Sequence, residues 1–350
     1  MPEKHFDLIL IGFGNVGRAF AELLMEKSAA LKEQYGFCCK VTGIYTRSHG
    51  AVIDPEGLDL RKALEAVKDG SGLKRLDKCA FSGDAHSFIE ECPGHVLIEN
   101  SPLRPLDGQP ALSHVRLALQ KGLHVITANK GPVVYGYSEL TELAKKQNRL
   151  FMFESVVMDG APIFSLFRGQ PAPLGGAKLL GFDGILNSCT NLLLELMEDG
   201  KSFDEAVEVA KEVGLAETDP SFDVDGWDAT VKVAALATVL MGLPLSPLEI
   251  ERTGIRNISP QMIADAKQTG ERWKLVCSVD IKDGKAIGKV HPQRVTKDSP
   301  FYSVGGPSSI VRFKLDVLPA LGVLETDPSP KTTAYGLLHD LITIAQTEMG

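Results

Sequence analysis

Apolar runs and amphipathic stretches alternate along the first half of the chain in the rhythm strand, turn, helix. Residues 6–11 are apolar; a glycine-rich turn follows, and then Ala19, Phe20, Leu23 and Leu24 recur at helical spacing. A second strand is predicted over Cys39 to Tyr45, ending at Thr46-Arg47-Ser48, and a third over Val96 to Glu99, ending at Asn100-Ser101-Pro102. A helix over 111–121 leads to the apolar run His124 to Thr127, and Ala128-Asn129-Lys130-Gly131-Pro132 reads as a polar turn at that strand's carboxyl end. A helix over 138–147 and a strand over Leu150 to Phe153 complete the half, while Asp54 to Lys78 is polar and says little. Such alternation predicts an open, mostly parallel sheet flanked by helices.

The second half has a different pattern. Leu179 to Gly184 is strand-like, and Gly184-Ile185-Leu186-Asn187-Ser188-Cys189-Thr190-Asn191 is a polar turn before the helix pattern Leu192 to Met197. Ser202 stands three residues before Glu205, a capping box that opens a helix with Phe203, Ala206, Val207, Ala210 and Val213 on one face. An acidic stretch from Gly214 to Asp228 then enters a strongly apolar helix that contains Lys232. Strands are predicted over Trp273 to Val279 and Lys289 to Val295, with a break at Asp283-Gly284, and over Ile310 to Leu315 after the loop 301–309. A last helix is predicted over 332–346. The expected fold is α/β: a Rossmann-type dinucleotide-binding domain over 1–150, an α+β domain over 151–318, and a segment 319–350 returning to the nucleotide domain.

The chemistry begins in the first turn. Gly12-Phe13-Gly14-Asn15-Val16-Gly17 is a dinucleotide fingerprint in its strand-turn-helix setting, with helix N-terminal amides to face a pyrophosphate. At the end of the second strand a carboxylate suits the ribose of NAD and an arginine suits a 2′-phosphate, so Arg47 with Ser48 favours NADP over NAD. Asp228 and Lys232 are four apart and share a helix face. A buried ammonium needs a partner, and the pair reads equally as a catalytic element or as a structural ion pair.

Composition narrows the class. The 350 residues suit two domains, and 44% hydrophobic with 23% charged residues is an ordinary globular balance. A net charge of -8 without a Lys/Arg block argues against a nucleic-acid partner. No apolar run reaches membrane-spanning length, and the first residues lack a signal-peptide pattern, which points to the cytoplasm. Cys38, Cys39, Cys79, Cys92, Cys189 and Cys277 have no zinc-ligand spacing and read as reduced thiols.

With Gly12 to Gly17, Thr127-Ala128-Asn129-Lys130, Glu154 to Pro162, Gly184 to Asn191 and above all Gly214 to Lys232 in hand, the chain resembles homoserine dehydrogenase. The resemblance is to the short form, without a fused aspartate kinase or a C-terminal regulatory domain. It implies NAD(P)-dependent interconversion of L-homoserine and L-aspartate 4-semialdehyde, serving threonine, methionine and isoleucine synthesis. By the same likeness Lys130 and Lys232 are the catalytic lysines. Glu217, Asp223 and Asp228, with Asn187 and Cys189, bind a small amino-acid substrate. Gly12, Phe13, Gly14, Asn15, Val16, Gly17, Arg47, Ser101, Thr127 and Asn129 serve the cofactor. Glu154, Val157, Asp159 and Ala161 match a monovalent cation site, for an ion such as sodium. The second domain would be catalytic and would join a homodimer.

Three departures from the family pattern leave other readings open. Asn187-Ser188-Cys189-Thr190-Asn191-Leu192 stands where the family usually has Asn-Gly-Thr-x-Asn-Tyr, and Leu215 where some members have tyrosine. Glu325 to Ala334 replaces a Gly-Ala-Gly turn. The alternatives are a divergent oxidoreductase acting on another small amino- or hydroxy-carbonyl compound, and a non-catalytic nucleotide-binding relative.

Overall fold

The computed structural model describes residues 4–76, 81–169, 172–216 and 218–349. They form two compact units, 1–160 with 329–350, and 161–328. Glu217 and Cys79 lie outside the described residues. Among the described residues no helix is long and apolar enough to cross a membrane.

The first unit runs β1 (Lys4–Ile11), α1 (Asn15–Tyr35), β2 (Phe37–Thr46), β3 (Gly50–Ile53), α2 (Leu60–Lys68), α3 (Ala85–Glu91), β4 (Val96–Glu99), α4 (Ala111–Gln120), β5 (His124–Thr127), α5 (Lys130–Lys146), β6 (Phe151–Met152) and α6 (Ser155–Met158). The strand order is β3-β2-β1-β4-β5-β6. All neighbours are parallel except β3, an antiparallel edge on β2. This is the Rossmann-type arrangement, and the order reverses between β1 and β4. The apolar runs are continuous because these strands are covered on both faces: Leu8, Ile9, Leu10 and Val96, Leu97, Ile98 are all fully buried. The C-terminal helix, Pro330–Met349, packs along α1 and buries Ala334, Leu337, Leu338, Leu341, Ile344 and Ala345 in the same core as Phe20, Leu23 and Leu24.

Several features differ from the sequence reading. Edge strand β3 was not expected, since Gly50–Ile53 is too short to show a period. Helix α5 begins at Lys130 rather than 138, because Asn129 caps it by accepting from Gly131 N–H. Pro132 falls in the first turn, where a missing N–H costs nothing. Lys130 therefore heads a helix and does not sit in a free turn.

The second unit contains β7 (Leu179–Ile185), α7 (Ser188–Glu198), α8 (Phe203–Glu212), α9 (Ser221–Val224), α10 (Trp227–Leu240), β8 (Glu251–Arg252), α11 (Pro260–Gln268), β9 (Arg272–Lys282), β10 (Lys285–Val295), β11 (Ser309–Leu315) and β12 (Leu321–Glu325). Its sheet order is β12-β11-β7-β9-β10-β8. The pairs are antiparallel except β8 with β10. The break at Asp283-Gly284 is a two-residue hairpin with φ of 51° and 75°, the positive pair that such turns require. Leu275, Cys277, Val279 and Val290 are buried, and α10 lies against β9 and β10. The opposite face carries charge pairs: Arg312 binds Asp183 through two bonds of 2.8 Å, and Lys314 lies 3.1 Å from Asp280.

Candidate active site

In the first unit the elements converge on the carboxyl edge of the sheet at the reversal point. Gly12 N–H donates to Tyr45 O (2.8 Å) and Asn100 N–H to Ile11 O (2.7 Å), which draws the turns after β1, β2 and β4 together. Gly12 has φ of 94°, and a Cβ there would stand 2.4 Å from Asn100 O. A Cβ on Gly17 would stand 2.7 Å from Gly12 O, so this glycine lets α1 close on the turn. At Gly14 a Cβ would meet nothing, which leaves open space before the helix. The first turn of α1 carries no acid and no side-chain cap, so its N–H groups are available to an anion. Phe13 is buried, Val16 is half-buried, and Asn15 accepts from Arg18 (2.7 Å). These residues fit a dinucleotide's pyrophosphate.

Arg47 and Ser48 are exposed in the short turn between β2 and β3. Ser101, Thr127 and Asn129 are tied to one another around the buried Glu99. Ser101 Oγ donates to its carboxylate, as does Thr127 Oγ1 (3.4 Å), and His114 Nδ1 lies 3.3 Å away. Asn129 Nδ2 donates to Ser101 O (2.8 Å), joining the turns after β4 and β5. Asn100 is different. Both polar atoms of its amide are buried without a hydrogen-bond partner among the described residues. An unpaired buried amide costs about 1–3 kcal/mol, so one at a ligand edge is a candidate ligand contact. Sequence reasoning missed it, because a strand-end asparagine is common and its isolation is three-dimensional. A groove of about 490 Å³ along α1, lined by Arg18, Leu64, Lys68 and Lys331, shares only Asn15 with the glycine turn.

The residues considered for a cation fall on a bend. Glu154 and Val157 are buried. Asp159 has φ of 44° and ψ of -118°, rare for a residue with a side chain. Its carboxylate accepts from Thr332 Oγ1 (2.7 Å) and Thr333 Oγ1 (3.0 Å) of the C-terminal helix. Ala161 begins the second unit, and its carbonyl accepts from Ile163 N–H (2.8 Å). Ligand atoms of Glu154, His339 and Asp340 lie within 4.8 Å of one another, and neither His339 nor Asp340 stood out in the sequence.

In the second unit the start of α7 meets α9 and α10. Glycine at 184 lets β7 pass β11, where a Cβ would stand 2.2 Å from Ile310 O, and three residues later Asn187 caps α7. Asn187 Nδ2 donates to Asp223 Oδ1 (2.7 Å) and to Asp228 Oδ2 (3.0 Å). Lys232 Nζ lies 3.1 Å from that same Asp228 oxygen and donates to Leu186 O (2.7 Å). The expected i,i+4 pair is thus formed, with its side chains only 14% and 12% exposed, on a helix where Val231, Val233, Ala234, Ala235, Leu236 and Ala237 are fully buried. Cys189, one residue into α7, is buried; burial, with Asp223 and Asp228 nearby, pushes its thiol well up and keeps it protonated. Leu215 is half-buried. Two carboxylates and one ammonium, sheltered from water, suit a small zwitterionic ligand.

The homoserine dehydrogenase NAD-binding domain model matches residues 12–154, and the homoserine dehydrogenase model matches residues 162–342. The NAD(+)-dependent homoserine dehydrogenase of Pseudomonas canavaninivorans is 34% identical over 98% of this chain and 97% of its own. The homoserine dehydrogenase of Methanocaldococcus jannaschii is 36% identical over 97% of this chain and 98% of its own. A hyperthermophilic archaeal homoserine dehydrogenase solved in complex with NADPH superimposes with a TM-score of 0.83, at 30% identity, covering 98% of each chain. A glycine turn built for a dinucleotide, a sheltered carboxylate–lysine cluster and matches along both halves lead to one assignment: the chain belongs to the homoserine dehydrogenase family.

Proposed function

We propose that this protein is an NAD(P)-dependent homoserine dehydrogenase, interconverting L-homoserine and L-aspartate 4-semialdehyde by hydride transfer. The observation that carries the reading is the cluster of Asp223, Asn187, Asp228 and Lys232. Asp223 and Asp228, with Glu217, hold the substrate's α-ammonium through charge-assisted bonds. Lys232 donates a proton to the substrate oxygen as aldehyde becomes alcohol and accepts it in the other direction. Lys130, at the head of α5, is the second catalytic lysine of this reading. The backbone from Gly12 to Gly17 holds the pyrophosphate, and Asn100 offers a further donor and acceptor. When bound, the nicotinamide supplies or takes the hydride.

The relatives point both ways on the cofactor, one named NAD(+)-dependent and one holding NADPH. Arg47 at the β2 turn favours the 2′-phosphate and therefore NADP. A homodimer is proposed through the charged face of the second sheet, where Ile287 and Leu324 stand 44% and 56% exposed. Light scattering on a sizing column reads this directly, and a monomer would remove it.

Steady-state assays with L-homoserine, aspartate 4-semialdehyde and a small panel of other aldehydes, each with both cofactors, test the function. Turnover of the homoserine pair, with higher kcat/KM for NADP(H), is expected; no turnover of any panel member would sink the enzyme reading. Lys232→Ala should lower kcat about 10²–10⁴-fold. Arg47→Ala should raise KM for NADPH about tenfold and leave that for NADH unchanged. A second reading, a related small amino-carbonyl substrate, is favoured by Cys189, which offers a neutral thiol rather than a hydroxyl; preference for another panel aldehyde would select it.

A further inference from the structure

An asparagine side chain has two acceptor sites on its oxygen and two N–H donors. In Asn187 all four are engaged within the protein. Oδ1 accepts from Thr190 N–H (2.8 Å) and from the Thr190 hydroxyl (2.8 Å), whose single proton is shared with the Asn187 carbonyl oxygen (3.1 Å), and Nδ2 donates to Asp223 Oδ1 (2.7 Å) and Asp228 Oδ2 (3.0 Å). The helix cap decides which end is oxygen, because the Thr190 backbone N–H can only donate. Asn187 is 3% exposed and Thr190 fully buried, so water does not compete for these bonds.

We propose that Asn187 is a positioning residue that sets substrate specificity. Its NH₂ group bridges two carboxylates into a paired acceptor for an α-ammonium, without touching the substrate. Thr190 supports it by filling the second acceptor site on Oδ1. Like charges side by side repel, and a neutral donor between them holds both in place until a cation arrives. Lys232 adds its charge at Asp228. The inference rests on the reading that Asp223 and Asp228 receive the substrate's amino group, and it changes the role expected for Asn187 from contact to support.

The test compares oxidation of L-homoserine with that of 4-hydroxybutanoate, which has the same alcohol and carboxylate but no amino group. Asn187→Ser keeps a capping oxygen and removes both bridging donors. It should raise KM for L-homoserine about tenfold with kcat within about threefold, and lower kcat/KM for L-homoserine more than that for 4-hydroxybutanoate, so that discrimination falls. Asn187→Asp, which keeps shape and cap but opposes the carboxylates, should do the same or worse and serves if the serine variant does not fold. Thr190→Val should show a smaller loss that Thr190→Ser does not. A variant that discriminates like the parent protein would overturn the proposal, as would a crystal structure with L-homoserine in which the Asn187 amide bonds the ligand. Should the parent protein turn over neither alcohol, the homoserine reading falls. The bridge is then judged from crystal structures of parent and Asn187→Ser: carboxylates moved apart in the variant support it, and an unmoved pair refutes it.

Discussion

Gly12 shows how one missing side chain shapes the nucleotide edge. Its φ of 94° disfavours any Cβ, and the Cβ would also stand 2.4 Å from Asn100 O. Gly12→Ala should cost about 2 kcal/mol or more in urea unfolding, from backbone strain and overpacking together, and should abolish the fluorescence change on NADPH binding. Lys274 makes a different residue-scale case. It is 1% exposed and donates to Asn191 Oδ1 (2.8 Å) and Val304 O (2.6 Å), while the nearby Glu195 and Glu198 are bound to Arg272. Burial, and then the Arg272 charge, pull it down from 10.5 to about 8. Between those values the unfolded chain binds a proton that the folded chain has released, so this group's contribution to stability rises with pH and its full penalty is present below pH 8. Wild type should therefore gain on Lys274→Met by on the order of 3 kcal/mol between neutral and strongly alkaline pH. Urea titrations of both across that range would show it, and a constant difference would contradict it.

Elements could be read from the sequence where their signals are local. The capping box of α8 is present as expected, with Glu205 N–H donating to Ser202 Oγ (3.3 Å) and Ser202 N–H to Glu205 Oε2 (2.7 Å). Ser202→Ala should lower stability by about 1 kcal/mol, read as a shift in the urea midpoint at constant slope. The glycine turn, the break at Asp283-Gly284 and the Asp228–Lys232 pair are visible for the same reason. Helix α5 was begun eight residues late because Gly131-Pro132 resembles a break, whereas the deciding bond is the Asn129 cap. Within the candidate site, Asn187 reaches partners 36 and 41 residues away, and no spacing rule extends so far. The isolation of Asn100 likewise has no local signal in the sequence.

At the scale of the molecule, the continuous second unit lies inside the sequence of the first. The C-terminal helix adds six buried apolar side chains to the first unit's core. At about 1.5–3 kcal/mol for each large one, this rivals the 5–15 kcal/mol that keeps a domain folded. Truncation after Pro328 should therefore abolish NADPH binding and the melting transition of residues 1–160, while residues 161–328 keep a cooperative transition of their own. Calorimetry of the shortened chain would show both, and retained cofactor binding would argue against the helix's role.

That nesting sets a schedule during translation. The β1–β6 region emerges from the ribosome first, yet it must wait for residues 330–349, made after the whole of 161–328, before its interior is covered. The region born later can be finished earlier, and in the interval the bare flank of α1 is the surface that a chaperone would find.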